Sequence, residues 1–87
     1  MFKEAYHPKA YLSSRRNVRL GVVARTKIIL RLETSESSVR DIAQSTQLSS
    51  ATVRHHIHLL EAERILLRTG KKPYVWGLTG AGQQRIT

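Results

Sequence analysis

Two short amphipathic segments separated by only three residues constrain the fold of this 87-residue chain more than any other feature. Apolar residues recur at helical spacing over Val39–Thr46 and again over 50–63, so each segment has one apolar side. Ser38 and Ser49 stand directly before the two segments, where a serine hydroxyl accepts a hydrogen bond from the first helical turn. The sequence therefore predicts two short helices joined by a tight turn at 47–49.

The segments on either side of this pair complete the pattern. Apolar residues at helical spacing predict a helix over 21–33, with Gly21 either starting it or interrupting a longer one. Residues 34–37 are polar and predict a loop. The apolar runs 65–68 and 74–78 flank a loop with a glycine and two lysines, which is typical of a hairpin. Thr79 is placed to cap a weak last helix.

The length of the chain suits one domain, because a second core would need many more residues. The periodic segments predict that this domain covers 18–87, whereas 1–17 have no clean period and predict a basic N-terminal arm. No apolar run is long enough to span a bilayer, and the first residues lack the apolar core of a secretory signal. We therefore expect a cytoplasmic protein.

Positive charge is the main compositional feature, with 15 Lys and Arg against 6 Asp and Glu. Residues 1–31 hold eight basic residues and one acidic residue. Residues 32–63 hold two basic and five acidic residues, and residues 64–87 hold five basic residues and no acidic residue. The basic residues thus flank a middle segment that is slightly acidic. A polyanionic partner is the favoured interpretation, and a generally basic, soluble surface is the alternative.

The predicted order helix, helix, helix, strand, strand is that of a winged helix-turn-helix, a mainly α fold with a small β-hairpin. The segment SVRDIAQ at 38–44 resembles the start of the positioning helix in the MarR/ArsR-type winged-helix families, and LSSATVRHHI at 48–57 resembles their turn and recognition helix. Residues 60–66 and 74–79 are similar to the entry and the second strand of the wing. The resemblance covers roughly 20–82 and implies double-stranded DNA binding by a small transcriptional regulator.

The chain departs from this family pattern in three respects, one of which is that no ligand pocket or paired metal-site motif of the ArsR type is evident. Arg64 stands where these families commonly have glycine, so either a strained left-handed residue or a different turn is expected. MarR-type proteins dimerise through a long exit helix, of which only a short counterpart follows residue 79. We therefore expect a homodimer to use the N-terminal arm and the C-terminal segment.

The predicted recognition helix has two faces. At 100° per residue, the core side consists of Val53, His56, Ile57 and Leu60. The opposite side holds Ala51, His55, His58 and Ala62. Arg54 is the best candidate for contact with a base edge, and contact with phosphate alone is the alternative. His55 and His58 are further candidates for DNA contact.

Hydroxyl and cationic side chains supply the other candidate DNA contacts. At the helix starts these are Ser38, Ser49, Ser50 and Thr52. The unpaired backbone N–H groups at a helix start favour phosphate binding, and the alternative is that these side chains only cap the helices. In the wing they are Arg68, Lys71 and Lys72, with a solvated turn as the alternative. In the arm they are Arg15 and Arg16.

Metal binding and catalysis are not expected. His55, His56 and His58 are close in sequence, but His56 is predicted to face the core, so three ligands cannot converge from this helix. The chain has no cysteine, and no set of nucleophile, base and orienting group is evident. We therefore expect no metal, no other cofactor and no enzymatic activity.

Two other functions remain open. A winged helix can serve as a protein-interaction or assembly module whose outward side binds a protein, and such a module would show little salt-dependent affinity for DNA. The basic arm also suits an RNA- or ribosome-associated protein.

Overall fold

The computed structural model describes residues 6–13, 16–70 and 74–79. In chain order, a 3₁₀ turn at Pro8–Ala10 precedes α1 (Arg19–Thr34), α2 (Val39–Thr46), α3 (Ser50–Ala62), β1 (Leu66–Thr69) and β2 (Val75–Leu78). The predicted order of three helices and a hairpin is confirmed. The recognition helix ends one residue earlier than the predicted 50–63, and the weak last helix after Thr79 lies outside the described residues.

Helix α1 runs without a break through Gly21, so this glycine neither starts nor interrupts a helix. Its role is steric. A Cβ atom at position 21 would lie 2.8 Å from Nη1 of Arg25, closer than non-bonded atoms approach. The absent side chain therefore makes room for the guanidinium group of Arg25, which is 3% exposed.

The core lies between the three helices and the inner side of the hairpin. Its fully buried large side chains are Ile28, Ile29, Ile42, Val53, Ile57, Leu60 and Leu66. Burying an aliphatic side chain of this size contributes about 1.5–3 kcal/mol. Since every helix and β1 supply at least one of these residues, the same core fixes the position of α3 relative to the hairpin.

The hairpin is attached to the start of α2 through a backbone bridge. Strands β1 and β2 are antiparallel, with Arg68 opposite Trp76. On the other edge of β2, the N–H of Ser37 donates to O of Trp76 at 3.0 Å, and the N–H of Trp76 donates to O of Ser37 at 2.8 Å. Of the segment 34–37, predicted as a loop, Thr34 ends α1, and Ser37 pairs with β2 and fixes the wing beside α2.

The described part of the N-terminal arm packs against the domain. Ala10 and Leu12 are buried in the common core. The N–H of His7 donates to Oγ1 of Thr26 at 3.1 Å, and Nε2 of His7 lies 2.9 Å from Oε2 of Glu33. These contacts fasten the arm to α1, while the division of the chain at residue 17 stays a prediction.

The turn after α3 resolves the question raised by Arg64, whose φ is +62°. Its N–H donates to O of Glu61 at 2.9 Å, and the N–H of Ile65 donates to O of Leu60 at 3.0 Å. This is the Schellman pattern that usually has glycine at the left-handed position. The backbone is therefore of the family type, with an arginine in the strained conformation.

Candidate nucleic-acid interface

The starts of α2 and α3 are capped as predicted. Oγ of Ser38 accepts from the N–H of Asp41 at 3.2 Å. Oγ of Ser49 accepts from the N–H of Thr52 at 3.1 Å and donates to Oγ1 of Thr52 at 2.8 Å. Between the helices, Gln47 takes a left-handed conformation with φ of +61°. The caps and this residue together produce a tight turn that exposes the first turn of α3.

Helix α3 has the predicted two faces. On its inner side Val53, Ile57 and Leu60 are at most 1% exposed, and His56 is 8% exposed. The exposed residues are Ser50, Ala51, Arg54, His55, His58 and Ala62. The apolar side thus anchors the helix, and the small, cationic and hydrogen-bonding side chains face solvent.

His56 is held in the interior by a cation. Nη1 of Arg25 lies 3.3 Å from its Nδ1. Burial first, then the positive charge of Arg25, then His55 lower the pKa of His56 to about 4. The ring is therefore neutral at neutral pH and accepts a hydrogen bond from the guanidinium group, as expected for a buried, hydrogen-bonded histidine.

A groove of about 720 Å³ lies between the start of α2, one side of α3 and the wing. We call it the wing-side groove. Its cationic side chains are Arg40, Arg54 and Arg68, and Tyr74 and Trp76 contribute aromatic surface. The guanidinium carbon of Arg68 lies 4.7 Å from the ring centroid of Tyr74, a cation–π contact that holds this arginine at the groove.

The groove brings together four of the predicted site residues: Ser38, Arg54, His58 and Arg68. Ser49, Ser50 and Thr52 lie at the start of α3, and Ser49 and Ser50 are exposed. Arg16 is exposed in the arm and is not among the residues that line the groove. Arg15, Lys71 and Lys72 lie outside the described residues.

Sequence reasoning missed Arg40 and Tyr74. Arg40 is the second residue of α2, and its position beside a helix start was the signal that could have found it. Tyr74 faces Arg68 only because Arg68 pairs with Trp76 in the hairpin register, which places the two side chains on a cross-strand diagonal. That register was not available from the spacing of the two runs.

Among the described residues, no group of three or more His, Cys, Asp or Glu side chains is arranged to hold a metal ion. Likewise, no described helix is long and apolar enough to cross a membrane.

A tight turn between α2 and a capped, outward-facing α3, with a hairpin fastened beside α2, defines a winged helix-turn-helix domain. The family model described as methanogenesis regulatory protein FilR1, N-terminal domain, matches residues 18–85. The chain belongs to this family of regulator domains. The prediction of a winged-helix domain of the regulator type is thereby confirmed.

A solved structure with a similar fold is the solution NMR structure of a homodimeric winged helix-turn-helix DNA-binding domain from Mycobacterium bovis, described as a possible ArsR-family transcriptional regulator. The TM-score is 0.65 at 18% sequence identity, and the match covers 74% of this chain. The chain spans 60% of the length of that domain. At this identity the likeness establishes the fold. No curated protein matches the chain.

Proposed function

We propose that this chain binds double-stranded DNA as part of a cytoplasmic, nucleoid-associated transcriptional regulator, with α3 in the major groove. The observation that carries this proposal is the wing-side groove, where Arg40, Arg54 and Arg68 come from three different elements to one side of α3. An α-helix fits the major groove, whose borders are the two phosphate backbones. The groove then follows one backbone while the outward side of α3 meets the bases.

Each side chain has a distinct role in this arrangement. Arg54 reaches a base edge from the exposed side of α3, and His55 lies beside it on that side. Ser49, Ser50 and Thr52 allow the first turn of α3 to approach closely, and the hydroxyls of Ser50 and Thr52 donate to phosphate. Ser38 sits at the start of α2, where backbone N–H groups favour an anion, and Arg68 and His58 extend the contact toward the wing.

The wing and arm add sequence-independent contacts. Lys71 and Lys72, which lie between the two strands of the wing in the sequence, and Arg15 and Arg16 in the arm are proposed to contact phosphates. These contacts raise affinity for any duplex, because they read charge and not base edges.

We also propose a homodimer formed through the N-terminal arm and the C-terminal segment. Apolar side chains near the arm support it: Leu20 is 80%, Val18 57% and Tyr11 49% exposed. Sedimentation equilibrium tests this proposal, with a dimer expected for the wild-type chain and a monomer for Leu20→Glu. A wild-type monomer at DNA-binding concentrations contradicts it.

Fluorescence anisotropy with duplex DNA at several salt concentrations tests the proposed function. We expect tight binding whose log K falls with log salt, with a slope of about −0.9 for each phosphate contact. Arg68→Gln and Lys71→Ala/Lys72→Ala should weaken all duplexes alike and flatten this slope. Lys27→Gln removes one exposed cation of α1 that does not line the wing-side groove, and serves as the matched control for Arg68→Gln.

The same titration separates the other functions. Binding that is weak and insensitive to salt contradicts DNA binding and favours a protein-interaction module. Tighter binding to duplex or structured RNA than to duplex DNA favours an RNA-associated protein.

A further inference from the structure

A second cationic depression lies on the other side of α3, between that helix, α1 and the arm. This arm-side pocket has a volume of about 410 Å³, room for roughly a dozen waters at ~30 Å³ each. Its polar lining consists of Arg16, Arg25, His55 and His56. Gly21 lies at its wall, where the missing Cβ leaves room for the guanidinium group of Arg25.

The pocket holds positive charge without a negative partner among the described residues. Arg25 is 3% exposed, and its hydrogen-bond partners are neutral. Its Nε donates to O of Ala10 at 2.6 Å, and Nη2 donates to Oδ1 of Asn17 at 3.1 Å. Its third contact, Nη1 to Nδ1 of His56, also involves a neutral group. A buried charge is normally paired with an opposite charge.

The nearby carboxylates do not fill this role. Oε2 of Glu33 lies 2.9 Å from Nε2 of His7. Oε1 of Glu63 accepts from the N–H of Ser13 at 3.0 Å. Neither glutamate lines the pocket. Among the described residues, no negatively charged group contacts Arg25, so an anion bound in the pocket would supply the missing opposite charge.

We propose that the arm-side pocket is a binding site for a phosphate group. Arg25 offers a fixed guanidinium at the bottom of the pocket, and Arg16 and His55 provide mobile donors at its mouth. A guanidinium group matches the oxygens of a phosphate better than other cations do, since its planar donors bind two oxygens at once. The absence of a lining carboxylate among the described residues favours an anion over a cationic or neutral ligand.

The position of the pocket indicates two sources of that phosphate. Arg54 lines the wing-side groove, whereas the next residue, His55, lines the arm-side pocket. Successive helix residues point about 100° apart, so the two depressions flank the outward side of α3. A helix about 10–12 Å wide in a groove of about 12 Å brings both flanks close to the two DNA backbones. The phosphate therefore belongs either to the second DNA backbone or to a free phosphate compound.

This inference extends the proposed function, and NMR of the full chain tests it in two arms. In the first, inorganic phosphate is added at constant ionic strength without DNA. We expect saturable shifts of the Arg25 Nε–H signal and of the ring signals of His55 and His56, reduced in Arg16→Gln. Arg16 and His55 are exposed, so Arg16→Gln and His55→Gln test the pocket without altering the buried Arg25.

In the second arm, duplex DNA replaces phosphate. If the backbone supplies the group, DNA shifts the same signals and displaces phosphate. Arg16→Gln then binds duplex roughly tenfold more weakly and flattens the salt slope by about one unit, while Lys27→Gln changes neither signals nor affinity beyond its general charge effect. If the source is a free compound, phosphate shifts these signals equally in the DNA-bound protein.

The proposal is overturned if neither phosphate nor duplex shifts the Arg25 Nε–H signal, whatever the affinity of Arg16→Gln, because the proposed function already assigns Arg16 a phosphate contact. Failure of the proposed function has a different signature. In that case wild-type duplex binding is absent or independent of salt. The titration of the free protein with inorganic phosphate then tests the pocket by itself.

Discussion

Nη1 of Arg25 lies 3.3 Å from Nδ1 of His56 in the interior of the domain. Arg25 belongs to α1, His56 belongs to α3, and Nε of Arg25 also donates to O of Ala10 in the arm at 2.6 Å. A guanidinium group has only donors, so Nδ1 of His56 must accept and the ring must be neutral. One buried pair therefore joins the arm, the first helix and the recognition helix.

Acid should destabilise the domain through His56. Its pKa is lowered from 6.5 to about 4, chiefly by burial and then by Arg25 and His55. The unfolded chain takes up this proton near pH 6.5, whereas the folded chain stays neutral down to about pH 4. Stability that is present above pH 6.5 is therefore lost as pH falls to about 4. Urea unfolding across this range should show a loss of about 1–2 kcal/mol from this side chain, allowing for solvent screening.

The control for this prediction is His56→Gln, which keeps a hydrogen-bond acceptor but does not titrate. Its stability should vary less between pH 6.5 and 4 than that of the wild type. Parallel curves for the two chains would show that His56 is not the group responsible.

Arg54→Ala should relax sequence preference more than it weakens binding in general. An arginine that contacts a guanine edge contributes about 1–3 kcal/mol of discrimination at one base pair. Competition titrations with duplexes that differ at single positions measure this effect. Arg40→Gln is the comparison, since Arg40 lines the same groove and should weaken all duplexes alike. If Arg54→Ala leaves every preference unchanged, Arg54 contacts phosphate only.

Removal of the α3 cap should destabilise the domain. Oγ of Ser49 accepts from the N–H of Thr52, and Ser49→Ala leaves this donor without its partner. We expect a loss of about 1 kcal/mol for Ser49→Ala and only a few tenths for Ser49→Gly, because glycine lets water reach the helix start. Chemical unfolding of both variants measures the difference. Equal stability of Ser49→Ala and wild type would mean that the cap contributes nothing.

Relief of the strained turn should stabilise the domain. Arg64 has a φ of +62°, a conformation that costs a non-glycine residue about 1–2 kcal/mol. Arg64→Gly removes this strain but makes the unfolded chain more flexible, so we expect a net gain of about 0.5–1 kcal/mol. Arg64→Ala removes the same side chain and keeps the strain, so it should show no such gain in thermal or urea unfolding.

The elements of the fold could be predicted because each depends on local rules. Helical spacing gave the exact bounds of α2, and the serine caps marked the starts of α2 and α3. The inner face of α3 was predicted correctly because four residues at helical spacing lie on one side of a helix and can be buried together only if that side faces the core. The turn at Arg64 was left open by the sequence, and the hydrogen bonds of Ile65 and Arg64 decided it.

The candidate site was predicted only in part, because a binding surface depends on distant contacts. Arg40 and Tyr74 join Arg54 and Arg68 through the pairing of Ser37 with Trp76 and the register of the hairpin. Ser37 lies in a segment that was predicted as a loop, and the spacing of the two hairpin runs does not fix their register. The buried Arg25 was counted in sequence only as one more basic residue.

The sequence by itself determined the helices, the hairpin and the positive charge, since hydrophobic periodicity, capping and composition act over a few neighbouring residues. Tertiary structure decided which cations share a depression and which one is buried. These outcomes follow from packing between residues that are far apart in the sequence, such as Arg25 and His56, which are 31 positions apart. The free energy of such a contact depends on burial and on the position of both partners, and neither quantity exists until the chain has folded.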